Sequence, residues 1–349
     1  MSGIGISPCP PFTKPPGVPG VLYDGNTAAW FKHNDMNTVI KDGADRVSFW
    51  LDRYNYAIGA ELVNQATWYT GAAYWTGTYD VNWSTVGTTL SSDGNNGTAS
   101  KPNFFTIGAT YKIVISITRV GGTLRVWDAA TIAASLVASG TYTIYFTATA
   151  VDFALQSLVF NGTVTALSVK RVTGNHLLQA TGARQPLWSA ANGILFDGVN
   201  DFMKCIAFAY IQPEMIYFVG RQTTWTNGDT IYDGNLNDTA ELFQATLTPQ
   251  IYAYAGILSL LNNNLILNTF GIIRNLFNGV NSILQINLTA AIVGNFGASN
   301  SGGFTLGSIA NGGAGYSNIE VKEIILRRSA DNAATQLQIY NYLKNVNGL

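Results

Sequence analysis

Enzymatic cleavage of a glycosidic bond needs two carboxyl groups facing one cleft, about 5–9.5 Å apart depending on mechanism. The chain offers five glutamates, Glu61, Glu214, Glu241, Glu320 and Glu323. Glu320 and Glu323 stand three apart in a strand-like run, so their side chains point to opposite faces, and no single strand carries acids at i, i+2 and i+4. A hydrolase of that type is not expected. A Ser-His-Asp site would have to use His33 or His176, and no G-x-S-x-G elbow is present. His33 has no second ligand at metal spacing and reads as a loop residue, as does His176. Hard oxygen donors gather at Asp197, Asn200 and Asp201, and again at Asp229, Asp233, Asn235 and Asp238. Calcium wants six to eight such oxygens, whereas Asp197-Gly198 has the form of a turn. No metal and no cofactor are expected. Sugar binding needs exposed rings beside amides and hydroxyls. Trp68, Tyr69, Trp75, Trp83 and Trp127, set among Asn and Thr, are the candidates. Tryptophan is more often core than platform, so at least one of the five must lie open in a concave surface for this reading to hold.

The elements that must position these groups are strands. Charged residues make up 11% of the 349-residue chain, aromatics 12%, and glycine occurs 36 times, a composition of strands and turns. The length suits two domains. A net charge of -1 and the lack of a Lys/Arg cluster leave no footprint for nucleic acid. Cys9 and Cys205 do not make a disulfide framework. The first twenty residues are rich in proline, which favours an extended arm, predicted to dock on a neighbouring subunit. No signal-peptide core and no run of ~18 apolar residues is visible, so a cytosolic protein without membrane insertion is expected.

Val47, Phe49 and Leu51 alternate in a strand that ends at Asp52, and the turn-rich Gly174-Asn175-His176 supplies its natural continuation. Joining the two segments makes residues 55–172 an insertion, and the ends of a compact domain are close enough to accept one. The domains expected are an arm at 1–20, a discontinuous sandwich of 21–54 with 173–349, and an inserted jelly roll at 55–172. Within the insert, Tyr111–Ile117, Thr123–Trp127, Tyr142–Ala148, Leu158–Phe160 and Leu167–Val172 are read as separate strands between glycine or asparagine turns. In the outer domain, Phe270–Phe277 and Ser282–Asn287 flank Asn278-Gly279 as a hairpin. Ile319–Leu326 alternates apolar and charged residues and should keep one wet face. A C-terminal helix, capped by Ser329 or Asp331 and ended by Gly348, should pack through Ala333, Leu337, Tyr340 and Leu343. The fold class is all-β, two antiparallel sandwiches plus one helix.

The joined motif, Val47, Trp50 and Asp52 followed by Gly174-Asn175-His176, Gln185-Pro186, Trp188 and Phe196-Asp197-Gly198-Val199-Asn200-Asp201-Phe202, resembles the laminin-G-like (concanavalin A-like) sandwiches of phage structural proteins. The insert, through Gly140, Tyr142, Ile144, Phe146, Leu158, Phe160, Gly162, Leu167, Val169 and Lys170, is similar to carbohydrate-binding modules. Thr165-Ala166 stands where many such modules carry an acidic residue or Asn, which puts a structural calcium in doubt. These resemblances imply a non-enzymatic bacteriophage virion protein, in capsid decoration, fibre or tail. It would be homo-oligomeric, held to other virion proteins by its arm, and would touch host or mucosal glycans weakly with avidity from many copies. The alternatives are a purely architectural subunit and a carbohydrate-active enzyme or its binding module. Two acidic residues lining one cleft would favour the last.

Overall fold

The computed structural model describes residues 15–349. Most of the expected arm, and Cys9, lie outside the described residues. The fold is all-β, with three antiparallel sheets and, among the described residues, one α-helix, Ala333–Asn347. No helix among them is long and apolar enough to cross a membrane. The described residues fall into two compact units, one of 15–36 with 41–47 and 182–349, the other of 37–40 with 48–181.

The first unit is layered. One sheet runs in the order Leu187–Ser189, Gly193–Asp197, Asn318–Arg327, Glu214–Gln222, Gly271–Phe277, Ser282–Ile286, Ile292–Gly294, with Thr27–Lys32 also paired to Asn318–Arg327. Facing it are Ile251–Tyr254, Glu241–Gln244, Thr230–Asp233, Thr305–Leu306 and Met203–Cys205, in that order. Between the layers Phe218 meets Tyr232 at 6.0 Å, and the Asn275 side-chain amide donates to the Tyr232 hydroxyl at 2.9 Å. The hairpin of Gly271–Phe277 with Ser282–Ile286 is present, closed by a 3-10 turn over Gly279–Asn281.

Asn318–Arg327 has no wet face, contrary to the alternation in its sequence: Glu323 is fully buried and Glu320 nearly so. The helix reaches the strand's face through Tyr342 and Asn347, and Thr27–Lys32 pairs along its edge. The Glu323 carboxylate accepts from Trp30 Nε1 at 2.7 Å, Tyr342 Oη at 3.1 Å and Asn347 Nδ2 at 2.9 Å. Arg327, 1% exposed, pairs with Asp331 at 2.7 Å and Asp24 at 2.8 Å, tying the segment before the first strand to the approach to the helix. Asp331, thus engaged, does not cap the helix. Asn332 does, accepting from Thr335 N at 2.9 Å. The helix buries Gln336, Ile339, Tyr342 and Leu343, while Leu337 is 48% exposed. The packing stripe is rotated from the expected one because Glu323 draws Tyr342 and Asn347 inward. Gly348 ends the helix in the left-handed region, φ 68°.

The second unit is built on two long strands, Thr110–Trp127 and Phe153–Thr173, paired with each other over nearly their whole length. Four strands were expected where two exist. Gly121-Gly122 does not turn the chain back. Gly122 sits at φ 70°, where a Cβ would stand 1.9 Å from Val159 O, and a Cβ on Gly162 would stand 2.3 Å from Thr118 O. The glycines let the two strands cross closely at bulges and continue. Below the crossing the pair is flanked by Gly140–Thr147 and Ala57–Glu61, and above it by Ile132–Leu136 and Gly97–Lys101. The core inside holds Trp68, Trp75, Trp83, Phe105, Phe153 and Phe160.

The main segment of this unit runs from Ser48 to Thr181, joined by Asn37–Ile40, where the sequence suggested 55–172. Its two connecting segments pair directly, Trp50 with Leu177 and Phe49 with Leu178. Asp52 clamps them. Its carboxylate accepts from Tyr54 N, Asn55 Nδ2 and Asn175 N, and its own N–H donates to His176 Nδ1 at 3.0 Å. His176 is therefore structural, and burial pushes it down to about 4.

Candidate functional site

The five rings singled out from the sequence divide. Trp68, Trp75 and Trp83 are 3%, 1% and 3% exposed and belong to the core of the second unit, so they offer no stacking face. The Trp75 indole N–H donates to Trp68 O at 2.8 Å, and its ring lies 5.7 Å from Phe153. Tyr69 is half-buried, edge-on to Trp68 at 5.9 Å. Trp127 is half-buried at the end of a long strand, paired with Ala154 and Ile132. The five are not brought together on one surface.

Neither aspartate loop has its oxygens turned toward a common ligand. Asp197 Oδ1 accepts from Val199, Asn200 and Asp201 N, and Asp201 Oδ2 accepts from Asp197 N at 3.1 Å. This closes a turn. Burial, and then the neighbouring Asp197, push Asp201 up to about 6. Asp233 accepts from four backbone N–H groups, those of Gly234, Asp238, Thr239 and Ala310, at 2.7–3.2 Å. It staples two loops. Among the described residues no group of three or more acidic, His or Cys side chains could hold a metal.

Chemistry-bearing side chains do converge on the outer face of the second layer of the first unit. Glu241–Gln244 pairs antiparallel with Ile251–Tyr254, Glu241 opposite Tyr254 and Phe243 opposite Tyr252. Side chains directly opposite one another share a face, as do residues two apart on one strand. All four therefore lie on one face, while Leu242, Gln244, Ile251 and Ala253 point into the core, each fully buried. Phe243, Tyr252 and Tyr254 are half-buried, and the first two rings stand 5.7 Å apart. Thr230, opposite Phe243 on the other side, donates its hydroxyl to Glu241 Oε1 at 2.6 Å. Beyond the bulge in that strand, Asp233 returns to the same face, and its charge reaches Glu241.

Glu241 is 7% exposed. Burial pushes its carboxyl up to about 7, and Asp233 and Asp238 add to this, against the lowering effect of the Thr230 bond. Its second oxygen has no hydrogen-bond partner among the described residues, and it is not one of the sealed, unpartnered atoms. The face thus presents three rings and one carboxyl oxygen able to accept or donate a proton near neutrality. Lys204, also on this face through its pairing with Thr305, is committed elsewhere: its ammonium donates to Asn235 O and Ala310 O, each at 2.8 Å.

A search for acids within single strands misses this arrangement, because Glu241 and Asp233 come from neighbouring strands. The available signal was Glu-x-Phe followed, across Thr246-Leu247-Thr248-Pro249, by Tyr-x-Tyr: two alternating runs joined as a hairpin.

No family model and no curated protein matches the chain. Solved structures are similar to it, two of them as follows. One is a Trypanosoma rangeli sialidase in complex with sialic acid, at 11% identity and TM-score 0.39, covering 50% of this chain and 30% of that one. The other is a mutant of the same sialidase displaying trans-sialidase activity, at 12% identity and TM-score 0.33, covering 45% and 28%. The match thus spans under a third of either sialidase chain. The expectation of a non-enzymatic phage virion protein is corrected here, since these two similar structures are a sialidase and a mutant of it, and it is not carried further. At TM-scores below 0.5 neither match assigns an activity to this chain.

Proposed function

We propose that the outer face formed by Glu241–Gln244 and Ile251–Tyr254 binds carbohydrate. The observation that carries this reading is the meeting of three partly exposed rings and one under-bonded carboxyl on a single pleated surface. The apolar faces of a sugar ring stack on aromatic rings, and its hydroxyls need a fixed acceptor. Aromatic lining with few, placed polar groups is the general make-up of a small-molecule site. The strands hold Phe243, Tyr252 and Tyr254 in register, so stacking costs little ordering. Glu241 fixes orientation.

A glycan array followed by calorimetry tests this. Replacing Tyr252 or Tyr254 with Ala should weaken binding of any captured glycan about tenfold each, roughly 1.4 kcal/mol, with the thermal transition unchanged. Equal binding by the parent and the doubly substituted protein would refute it. A second reading, donation of a proton from Glu241 to a glycosidic oxygen, is favoured by its titration near neutrality. It requires a second carboxyl. Asp233 shares the face, but its oxygens are taken by four backbone N–H groups. Release of reducing ends by the parent and not by Glu241→Gln would establish that reading instead.

A further inference from the structure

We infer that this face selects neutral or amine-bearing saccharides and rejects those carrying a carboxylate, such as sialic and uronic acids; the inference rests on the carbohydrate-binding reading above. Recognition of a carboxylate uses a guanidinium fork or another cation with free donors. The outward positions of the five strands in this layer include no arginine. Their one lysine, Lys204, spends its ammonium on two backbone carbonyls next to Asp233.

Acids dominate instead. Asp233, on the strand beside Glu241, and Asp238, in the loop that follows, both bear on Glu241. Asp229 immediately precedes the Thr230–Asp233 strand. On the Ile251–Tyr254 strand at its other side the titratable groups on this face are phenolic, Tyr254 directly opposite Glu241 and Tyr252 next along. The strand bearing the rings lies in a stretch, residues 242–273, without a single Asp, Glu, Lys or Arg. A ligand carboxylate brought onto the rings would meet Glu241 with nothing to neutralise it. A hydroxyl or ammonium group would give the unpartnered Glu241 oxygen the donor it lacks.

The test uses the whole chain and four soluble probes: lactose, 3′-sialyllactose, a tetramer of glucosamine and a tetramer of galacturonic acid. Binding is titrated calorimetrically at pH 8 and pH 5.5. The expected result at pH 8 is binding of lactose or the glucosamine tetramer, with at least tenfold weaker binding of the sialylated and uronic probes. The discrimination should narrow at pH 5.5, where Glu241 is protonated, and in Glu241→Gln at both pH values. Equal or tighter binding of 3′-sialyllactose than of lactose at pH 8 overturns the inference while leaving carbohydrate binding in place. Discrimination that persists undiminished in Glu241→Gln also overturns it. Failure of all four probes, with none captured on a broader array, removes the carbohydrate reading and the inference together.

Discussion

Replacement of Glu241 by Gln should stabilise the protein at alkaline pH and leave it unchanged in acid. Burial raises the folded-state pKa from the ordinary 4.5 to about 7, so the folded chain holds this proton more tightly than the unfolded one. Below about pH 4.5 the group is protonated in both states and costs nothing. As pH rises from there toward 7 the unfolded chain ionises first and stability falls, and above 7 the full penalty is present. At about 1.4 kcal/mol for each tenfold difference in proton affinity, the gap between 4.5 and about 7 sets a ceiling of roughly 3 kcal/mol. Gln keeps an oxygen for the Thr230 hydroxyl and carries no charge, so it should recover about 2–3 kcal/mol at pH 8.

Urea denaturation of both proteins at pH 4 and pH 8, followed by amide exchange in Glu241–Gln244, measures the difference. Glu214, pushed up to about 7, and Asp233 also lose stability as pH rises. The Glu214 contribution is common to parent and variant and cancels, whereas Asp233, which repels the ionised Glu241, is relieved in the variant and adds to the gain at pH 8. An equal effect of the substitution at both pH values would refute the argument. So would destabilisation at pH 8, which would mean that the ionised carboxylate is stabilised where the structure gives it only Thr230.

Two further substitutions test the scaffold. Glu323→Ala leaves the Trp30 indole, the Tyr342 hydroxyl and the Asn347 amide without their common acceptor in a fully buried site. It should cost about 3–5 kcal/mol and abolish exchange protection in Ala333–Asn347, with Glu323→Gln costing less; retained protection in the Ala variant would sink the idea that this carboxylate anchors the helix. Gly122→Ala, at φ 70° with its Cβ set against Val159 O, should lower stability by more than about 2 kcal/mol, whereas Gly121→Ala, with nothing within 4 Å, should change it by less than about 1 kcal/mol; equal effects would show that the close strand crossing is not what selects glycine.

Local chemistry made part of this structure legible. The alternation through Val47 and Phe49, the polar run at Gly174-Asn175-His176, the Asn278-Gly279 hairpin and Gly348 all act within a few residues, and each is found with its partner nearby. What local pattern could not convey is contact chosen at long range. Gly121-Gly122 reads as a turn until Val159 lies against it. Asp331 reads as a helix cap until Arg327 claims it. Glu320 and Glu323 read as a solvated edge because nothing near them in sequence announces Trp30 or the last turn of the helix. The candidate site is hidden the same way, since its acid and its rings sit on different strands and meet only through register.

Buried acids separate the candidate site from the scaffold. Burial of a carboxyl is costly unless hydrogen bonds replace water, and the first unit buries several. Glu323 is compensated by three donors and Asp233 by four. Glu214 is not fully compensated: Ser301 N serves one oxygen, and the other is unpartnered and sealed from solvent. Glu241 is under-bonded too, but its second oxygen is not among the atoms sealed from solvent, and the residue shares a face with Phe243, Tyr252 and Tyr254. No outside donor can reach the gap at Glu214, so it bears only on stability. At Glu241 the missing donor can come from a ligand hydroxyl, and binding would then recover part of what folding gave up.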